Sequence, residues 1–258
     1  MLVAERQQKV VDIVNERKSI RVSELSDMFS VTEETIRRDL EKLEHDGKLS
    51  RSHGGAVSVS TTSSPEVPYS EREILNVKEK REIASEAVNQ VVAGDKIILD
   101  ASSTAWYMAK IIPDIPLTVL TNSIKVAIEL SSKTQITVIS TGGILLQRSL
   151  SYAGPLAEDS LSAYHVNKAF ISSKGFHFEH GISESNEQQA RIKKKMISIT
   201  DAVYAMVDHS KFGVQAFTHV AGVHQIDHII TDSHIEEKTV DRLTDLSLNV
   251  IKVEETAV

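Results

Sequence analysis

Seven apolar runs recur downstream of residue 94: KIILD (96–100), LTVLT (117–121), ITVIS (136–140), KAFISS (168–173), AVYAMVD (202–208), HIITD (228–232) and NVIKV (249–253). Helix-length segments separate most of them, over 78–92, 104–112, 124–132, near 155–163, 187–199 and 234–246, with Gly94-Asp95 and Pro113 as punctuation. Apolar strands interleaved with amphipathic helices predict an α/β fold, a mostly parallel sheet covered on both faces.

Such a sheet gathers ligands at the carboxyl ends of its strands. KIILD ends at Asp100 and runs into Ser102, Ser103 and Thr104, which open a helix. Free N–H groups and hydroxyls at a helix N-terminus make a seat for phosphate. LTVLT ends at Thr121 and passes through Asn122 and Ser123 into a helix, while ITVIS runs into Thr141-Gly142-Gly143. KAFISS leads to Lys174 and Gly175, and AVYAMVD ends at Asp208, three residues before Lys211. Anion seats, a carboxylate and hydroxyl-binding polar groups together fit a phosphorylated sugar.

The first sixty residues follow a different plan. Residues 4–17 place Val10, Val11, Ile13 and Val14 on one helical stripe. Residues 23–29 predict a short helix with Ser23 as N-cap and Leu25, Met28 and Phe29 inward, and Ser30-Val31 turns the chain. A third helix starts at the N-cap Thr32, with Glu33 and Glu34 in the first turn, where the helix dipole favours acids. Val31 and Ile36 suit a hydrophobic staple across that N-terminus.

Ile36, Leu40 and Leu43 must face the core. At ~100° per residue, Arg38 and Glu34 then point most directly outward, flanked by Thr35 and Arg37. Asp46-Gly47 turns the chain into KLSRSHGGAVSV, a hairpin that carries Lys48, Arg51 and His53. A short helix, a turn, a second helix with an outward polar N-terminal half and a basic hairpin make a winged helix-turn-helix. The Ser/Thr/Pro-rich stretch from Ser58 to Pro68 reads as a linker. The expected division is therefore 1–57 for DNA binding, 58–77 as linker, and 78–258 for effector binding and oligomerisation.

Charge and composition narrow the function. The chain carries a net charge of −7. Residues 1–60 hold 10 Lys and Arg against 11 Asp and Glu, so any contact with DNA must come from a local cationic face. Without cysteine there are no disulfides, no thiolate catalysis and no Cys-based zinc site. The ten histidines show no metal-ligand spacing on one helix, and no metal or cofactor is expected. No apolar run approaches the ~20 residues needed to cross a bilayer. The charged N-terminus does not read as a signal peptide, which points to a cytoplasmic protein.

The run ERQQKVVDIVNERKSIRVSELSDMFSVTEETIRRDLEKLEHDGKLSRSHGGA resembles the N-terminal winged helix of the DeoR family of bacterial transcriptional regulators. It fits the patterns V-S-x-x-T-I-R-R-D-L and L-x-x-x-G-x-L-x-R-x-H-G-G-A, with Thr32 where the family commonly has Ser. The resemblance implies Thr35, Arg37 and Arg38 at bases or phosphates of double-stranded operator DNA, and Lys48, Arg51 and His53 at its backbone.

D-A-S-S-T (100–104), L-T-N-S (120–123), S-T-G-G (140–143) and D-H-S-K-F-G (208–213) are similar to the family's effector domain, itself similar to ribose-5-phosphate isomerase and the coenzyme A transferases. That likeness implies phosphate held at Ser102 to Thr104 and a ligand role for Lys211. The isomerase's acidic D-G-A-D-E run is replaced here by SSKGF, so its acid/base apparatus is missing. A regulator of sugar catabolism, a repressor, is expected, with no catalytic residues. The competing reading is an active sugar-phosphate isomerase or transferase with an accessory DNA-binding or interaction domain. Half-site geometry further implies a homodimer or higher homo-oligomer, because one winged helix covers too little duplex for tight specific binding.

Overall fold

A computed structural model describes residues 3–17, 19–45, 48–52, 54–57 and 66–254. The chain forms two compact units, residues 1–64 and 65–258.

In the first unit, α1 (Val3–Arg17) leads through β1 (Ser19–Arg21) into α2 (Val22–Phe29) and α3 (Glu33–His45), followed by the hairpin of β2 (Ser50–Ser52) and β3 (Gly55–Val57). Val10, Val14, Leu25, Ile36, Leu40, Leu43, Leu49 and Ala56 make its core, as the helical periodicity requires. Two expectations for α2 fail. The helix begins at Val22, which is buried, with Arg21 at the N-cap and no side-chain cap, so Ser23 already lies inside it. Met28 is 47% exposed rather than inward, because the core-facing stripe is set by Val22 and Leu25.

The sequence also gave no sign of β1, a three-residue strand that pairs antiparallel with β3. That pairing explains Gly55. A Cβ there would lie 2.2 Å from the Ile20 carbonyl oxygen, so only glycine lets the hairpin close on β1. Asp39, on the buried side of α3, accepts from Arg6 Nε at 2.6 Å and Gln7 Nε2 at 2.8 Å, tying α3 to α1.

The second unit starts earlier than the expected 78. The short helix α4 (Tyr69–Arg72) buries Tyr69 and is anchored by a Tyr69 N–H to Arg148 carbonyl bond of 2.7 Å. Residues 66–77, expected as linker, thus include a folded part of this unit. A single buried aromatic among charged residues carries no periodicity from which to read that.

Then follow α5 (Val77–Asn89), β4 (Lys96–Leu99), α6 (Ser103–Ile111), β5 (Leu117–Thr121), α7 (Ile124–Leu130), β6 (Ile136–Ser140), β7 (Ile144–Leu146), β8 (Ser151–Ala153) and α8 (Pro155–Ser162). Next are β9 (Val166–Ile171), β10 (Gly175–His177), β11 (Gly181–Glu184), α9 (Glu187–Ser198), β12 (Thr200–Met206), β13 (Thr218–Ala221), β14 (His228–Thr231), α10 (Glu237–Asp245) and β15 (Asn249–Lys252).

Seven strands form one parallel sheet in the order β15-β14-β12-β9-β4-β5-β6. Alternate residues of each strand enter opposite cores. Ile97, Leu99, Phe170 and Met206 pack with α5, α6 and α7, while Ile98, Ala169, Ile171 and Ala205 pack with α8 and α9. Truncating a fully buried Leu99 or Phe170 to Ala costs about 2–5 kcal/mol. A small antiparallel sheet, β10-β11-β13, and the β7-β8 hairpin complete the unit. Their strands have three or four residues, too few to show a period of two in the sequence.

The strand order reverses between β4 and β9, the first and fourth strands of the sheet in chain order. A crevice at such a switch point, outside the carboxyl ends, is where open α/β sheets bind ligands. Asp100 and Ser172 follow those two strands directly.

Candidate functional site

On α3, Thr32 caps the helix by accepting the Thr35 N–H at 3.3 Å, and the two hydroxyls lie 2.9 Å apart. The Arg38 side chain is 78% exposed and that of Arg37 52%, as the aim of the core stripe requires. Each arginine is paired within its own helix: Arg37 Nη2 with Glu33 at 2.6 Å and Arg38 Nε with Glu34 at 3.5 Å. Exposed pairs one turn apart are worth only ~0.3–0.5 kcal/mol and exchange readily for another anion. Lys48 and Arg51 are exposed on the hairpin, and Arg51 N–H donates to Glu44 at 2.7 Å. His53 lies outside the described residues.

At the effector edge, three strand ends are bonded to one another. After β4, the Asp100 carboxylate is wholly buried; it accepts from Ser102 N and Ser172 N at 3.0 Å each and pairs with Lys193 at 3.0 Å. Lys193, on the buried side of α9, also binds the Ser172 carbonyl at 2.6 Å and Glu184 at 2.5 Å. Burial opposes its charge, but Asp100 and Glu184 overcome that and hold the ammonium above the ordinary lysine range. Asp100 is thereby neutralised inside the protein. Of Lys193, Lys194 and Lys195, one faces this edge, while Lys194 is exposed and Lys195 half-buried.

After β12, Asp208 caps a single helical turn, and Lys211 on that turn donates to Ser172 Oγ at 2.9 Å and lies 3.4 Å from Asp208. Burial works against the Asp208 charge, yet Lys211, Ser210 and Lys80 outweigh it and hold the carboxyl below its usual range. Lys174, after β9, is depressed, first by burial and then by the charge of Lys211.

Several expected ligand groups are already occupied. Ser102 Oγ caps α6 through Ala105 N at 3.0 Å, and Ser123 Oγ caps α7 through Val126 N at 3.2 Å. Thr121 Oγ1 accepts the Ser123 N–H at 3.0 Å, and Ser103 Oγ donates to the Arg72 carbonyl at 3.3 Å. Thr104 is buried. Asn122 differs: Nδ2 donates to the Tyr152 carbonyl at 2.9 Å, but its buried Oδ1 has no partner among the described residues. It is an acceptor fit for a ligand hydroxyl.

Gly143 and Gly175 have structural reasons. A Cβ on Gly143 would lie 2.7 Å from the Ala153 carbonyl oxygen, and one on Gly175 2.4 Å from that of Val214. Gly142 faces open space at φ +61. At ~4.8 Å per strand, the five ends from β12 to β6 span about 19 Å, longer than a monosaccharide phosphate. The ends of β12, β9 and β4 are bonded together, whereas that of β5 joins the β7-β8 hairpin through Ser123 and Asn122, and that of β6 joins β5 through the Thr141 N–H to the Thr121 carbonyl.

Lys80, Asn76 and Arg72 were not signalled as functional. Asn76 Nδ2 donates to Asp208 Oδ1 at 3.3 Å. Lys80 Nζ donates to the Arg72 carbonyl at 2.5 Å and to that of Leu75. Burial, and then Lys211, lower its ammonium to about 8. A signal for Lys80 existed: with Ile83, Ala84 and Ala87 it falls on the buried stripe of α5. The sequence offered no metal spacing either, yet Glu79, His209 and His234 bring ligand atoms within 4.8 Å. Asp232 lies against both imidazoles, with Oδ1 3.0 Å from His209 Nδ1 and 3.5 Å from His234 Nδ1.

Residues 6–62 match the DeoR-like helix-turn-helix domain, and residues 75–233 match the DeoR C terminal sensor domain. The chain is 62% identical over 98% of both sequences to an uncharacterized HTH-type transcriptional regulator, YulB, of Bacillus subtilis. It is 36% identical to an L-fucose operon activator of Haemophilus influenzae, covering 90% of this chain and 93% of that one. To the repressor GlcR of Bacillus subtilis it is 36% identical, covering 90% and 89%. Among solved structures, ribose 5-phosphate isomerase A of Methanocaldococcus jannaschii aligns at 17% identity over 52% of this chain and 53% of that one, with a TM-score of 0.39, a likeness too weak to build on. The chain belongs to the DeoR family of transcriptional regulators.

Proposed function

We propose that this regulator is a repressor of a sugar-catabolism operon, that its α/β unit binds a phosphorylated sugar, and that it works as a homodimer or larger homo-oligomer. The observation that carries the effector reading is the meeting of Lys174 and Lys211 at the sheet's switch point, while the Asp100 and Glu184 carboxylates there are both paired with Lys193. Positive charge with its local acids already spent suits a dianion. The Asn122 Oδ1 acceptor adds a place for a hydroxyl. Relatives whose names refer to fucose-operon activation and to repression support a sugar-linked role without fixing its sign here.

On the DNA side, Thr35, Arg37 and Arg38 reach bases or phosphates, with Lys48, Arg51 and His53 along the backbone. Arginine binds guanine bidentately or pairs with phosphate, and both uses need the exposed aim of Arg38. Enzymatic turnover has less support. The strand end at 172–175 carries no carboxylate, and Asp100 is held by Lys193 and two backbone N–H groups.

A thermal-shift screen of the full chain against pentose and hexose phosphates tests the effector reading. A hit is expected to raise the melting temperature and to weaken in Lys211→Ala. A panel in which no phosphosugar shifts the wild type would remove the reading. Isomerase turnover well above background on any member would favour the enzyme.

A further inference from the structure

Three side chains far apart in the sequence converge beside the turn after β12: Glu79 in the first turn of α5, His209 on the turn itself, and His234 in the loop after β14. One ligand atom of each lies within 4.8 Å of the other two. Glu79 Oε1 is 3.7 Å from His234 Nδ1. Two ligands of one tetrahedral ion, at bond lengths of about 2.0–2.1 Å, stand roughly 3.4 Å apart. The two rings are tilted by 54° with their centroids 5.4 Å apart, and both are exposed, so small side-chain rotations close the remaining gap.

Behind the histidines lies Asp232, wholly buried. Its Oδ2 accepts the His209 N–H at 2.7 Å and its Oδ1 the His234 N–H at 3.0 Å, which fixes both backbones. Oδ1 also faces both Nδ1 atoms. A carboxylate set against a ligating imidazole holds the ring's orientation and raises its basicity. Glu82, one turn from Glu79 on the same face of α5, accepts from Ser233 N at 3.3 Å and Ser233 Oγ at 3.1 Å, so the loop carrying His234 is tied to the helix carrying Glu79.

The lysines beside Glu79 are engaged elsewhere. Lys78 pairs with Glu82 at 3.7 Å, and Lys80 donates to the Arg72 and Leu75 carbonyls. Two imidazoles with the Glu79 and Asp232 carboxylates therefore offer two nitrogens and two negative charges. The charges balance a divalent ion, and the nitrogens suit zinc and its neighbours rather than magnesium or calcium, which take oxygen.

We propose that Glu79, His209 and His234 form a binding site for a divalent first-row transition ion, Zn2+, with Asp232 as the carboxylate that orients the imidazoles and solvent at the fourth position. The ion ties α5 to the ends of β12 and β14. Its ligands come from three different elements, which is why no spacing within one helix announces them. The site stands whether or not the α/β unit binds a phosphorylated sugar.

The test is isothermal titration of the tag-free full chain with Zn2+ after dialysis against a chelator. Wild type is compared with His209→Gln, His234→Gln, Glu79→Gln and Asp232→Asn, each first checked for a cooperative thermal melt. A double variant, His177→Gln with His180→Gln, removes the other pair of stacked histidines. The wild type is expected to take one ion that the double variant keeps. Each of His209→Gln, His234→Gln and Glu79→Gln should weaken it at least tenfold, and Asp232→Asn ~10–100-fold. Zn2+ should raise the melting temperature of the wild type and the double variant, and leave those of His209→Gln and His234→Gln unchanged. Wild-type affinity in either of these two would remove that residue as a ligand, and the three-ligand site with it. A loss confined to the double variant would move the ion to the other histidine pair and overturn the proposal. So would a wild type that takes no Zn2+, leaving plain imidazole–carboxylate pairs, or one from which excess Mg2+ displaces it.

Discussion

Helix α3 and the switch-point edge of the sheet both gather cations, yet they hold them in opposite ways. On α3, Arg37 and Arg38 are solvent-exposed and lightly held by Glu33 and Glu34 one turn away. At the sheet edge, Lys80, Lys174 and Lys211 sit among one another, partly or fully buried, with Lys80 and Lys174 depressed by that setting. An exposed arginine costs little to keep charged and little to transfer to DNA, where displaced counterions favour binding. A buried lysine pays its desolvation in the empty state, so a dianion that arrives meets groups already stripped of water. The first arrangement suits a long polyanion that must be found and released. The second suits a small ligand that must be discriminated.

The largest effect that sharpens this contrast is on DNA. Replacing Arg38 by Ala is expected to weaken operator binding roughly five- to 150-fold, at ~1–3 kcal/mol for a lost bidentate base contact. The melting of the α/β unit should not change. Gel shifts at two salt concentrations check it, and unchanged affinity would remove α3 as the reading element. Adding Arg37→Ala should deepen the loss and flatten the salt dependence.

Next in size is a dependence on pH that only the buried cations should show. Lys80 loses its proton near pH 8, in surroundings that include Arg72, Lys211, Asp208 and Glu79. A dianion favours the protonated form, so effector affinity should hold from about pH 6.5 to 7.5 and fall as pH rises through 8. Stability of the empty unit should move the other way. The folded state releases this proton before the unfolded one does, so the contribution of Lys80 to stability rises above pH 8. Calorimetry of binding and of unfolding across pH 7–9 reads both trends. An affinity that stayed level to pH 9 would separate Lys80 from the site.

Much of the first arrangement was open to sequence reasoning, because Ile36, Leu40 and Leu43 alone set the aim of every other residue on α3. The parallel sheet was equally open, since its strands are apolar on both faces. The effector edge was only partly so. Asp100, Ser172, Asp208 and Lys211 meet because their strands are neighbours, and local patterns do mark strand ends. What patterns could not mark is which hydroxyls are spent as helix caps, as Ser102 and Ser123 are. Nor could they show that Arg72, within a charged run that reads as linker, folds back to this edge. The short strands of the β10-β11-β13 sheet were hidden for want of length.

The smallest expected effect probes the lightly held arginines. Glu34→Gln frees Arg38 of a pair worth only a few tenths of a kcal/mol and removes a negative charge from the recognition face. Operator affinity should rise about two- to fivefold at low salt and converge with wild type at high salt. A weakened complex would mean that Glu34 itself makes a favourable contact, as an acceptor from cytosine for example.

The most direct measurement joins the two regions. Fluorescence anisotropy would follow the full chain on an operator duplex, enriched by the chain itself from a random library, during titration with the phosphosugar found in the thermal-shift screen. The wild type is expected to change its operator affinity at least tenfold, with Lys211→Ala binding the operator normally and failing to respond. A Lys211→Ala chain that responds at the same phosphosugar concentration as wild type would contradict the account.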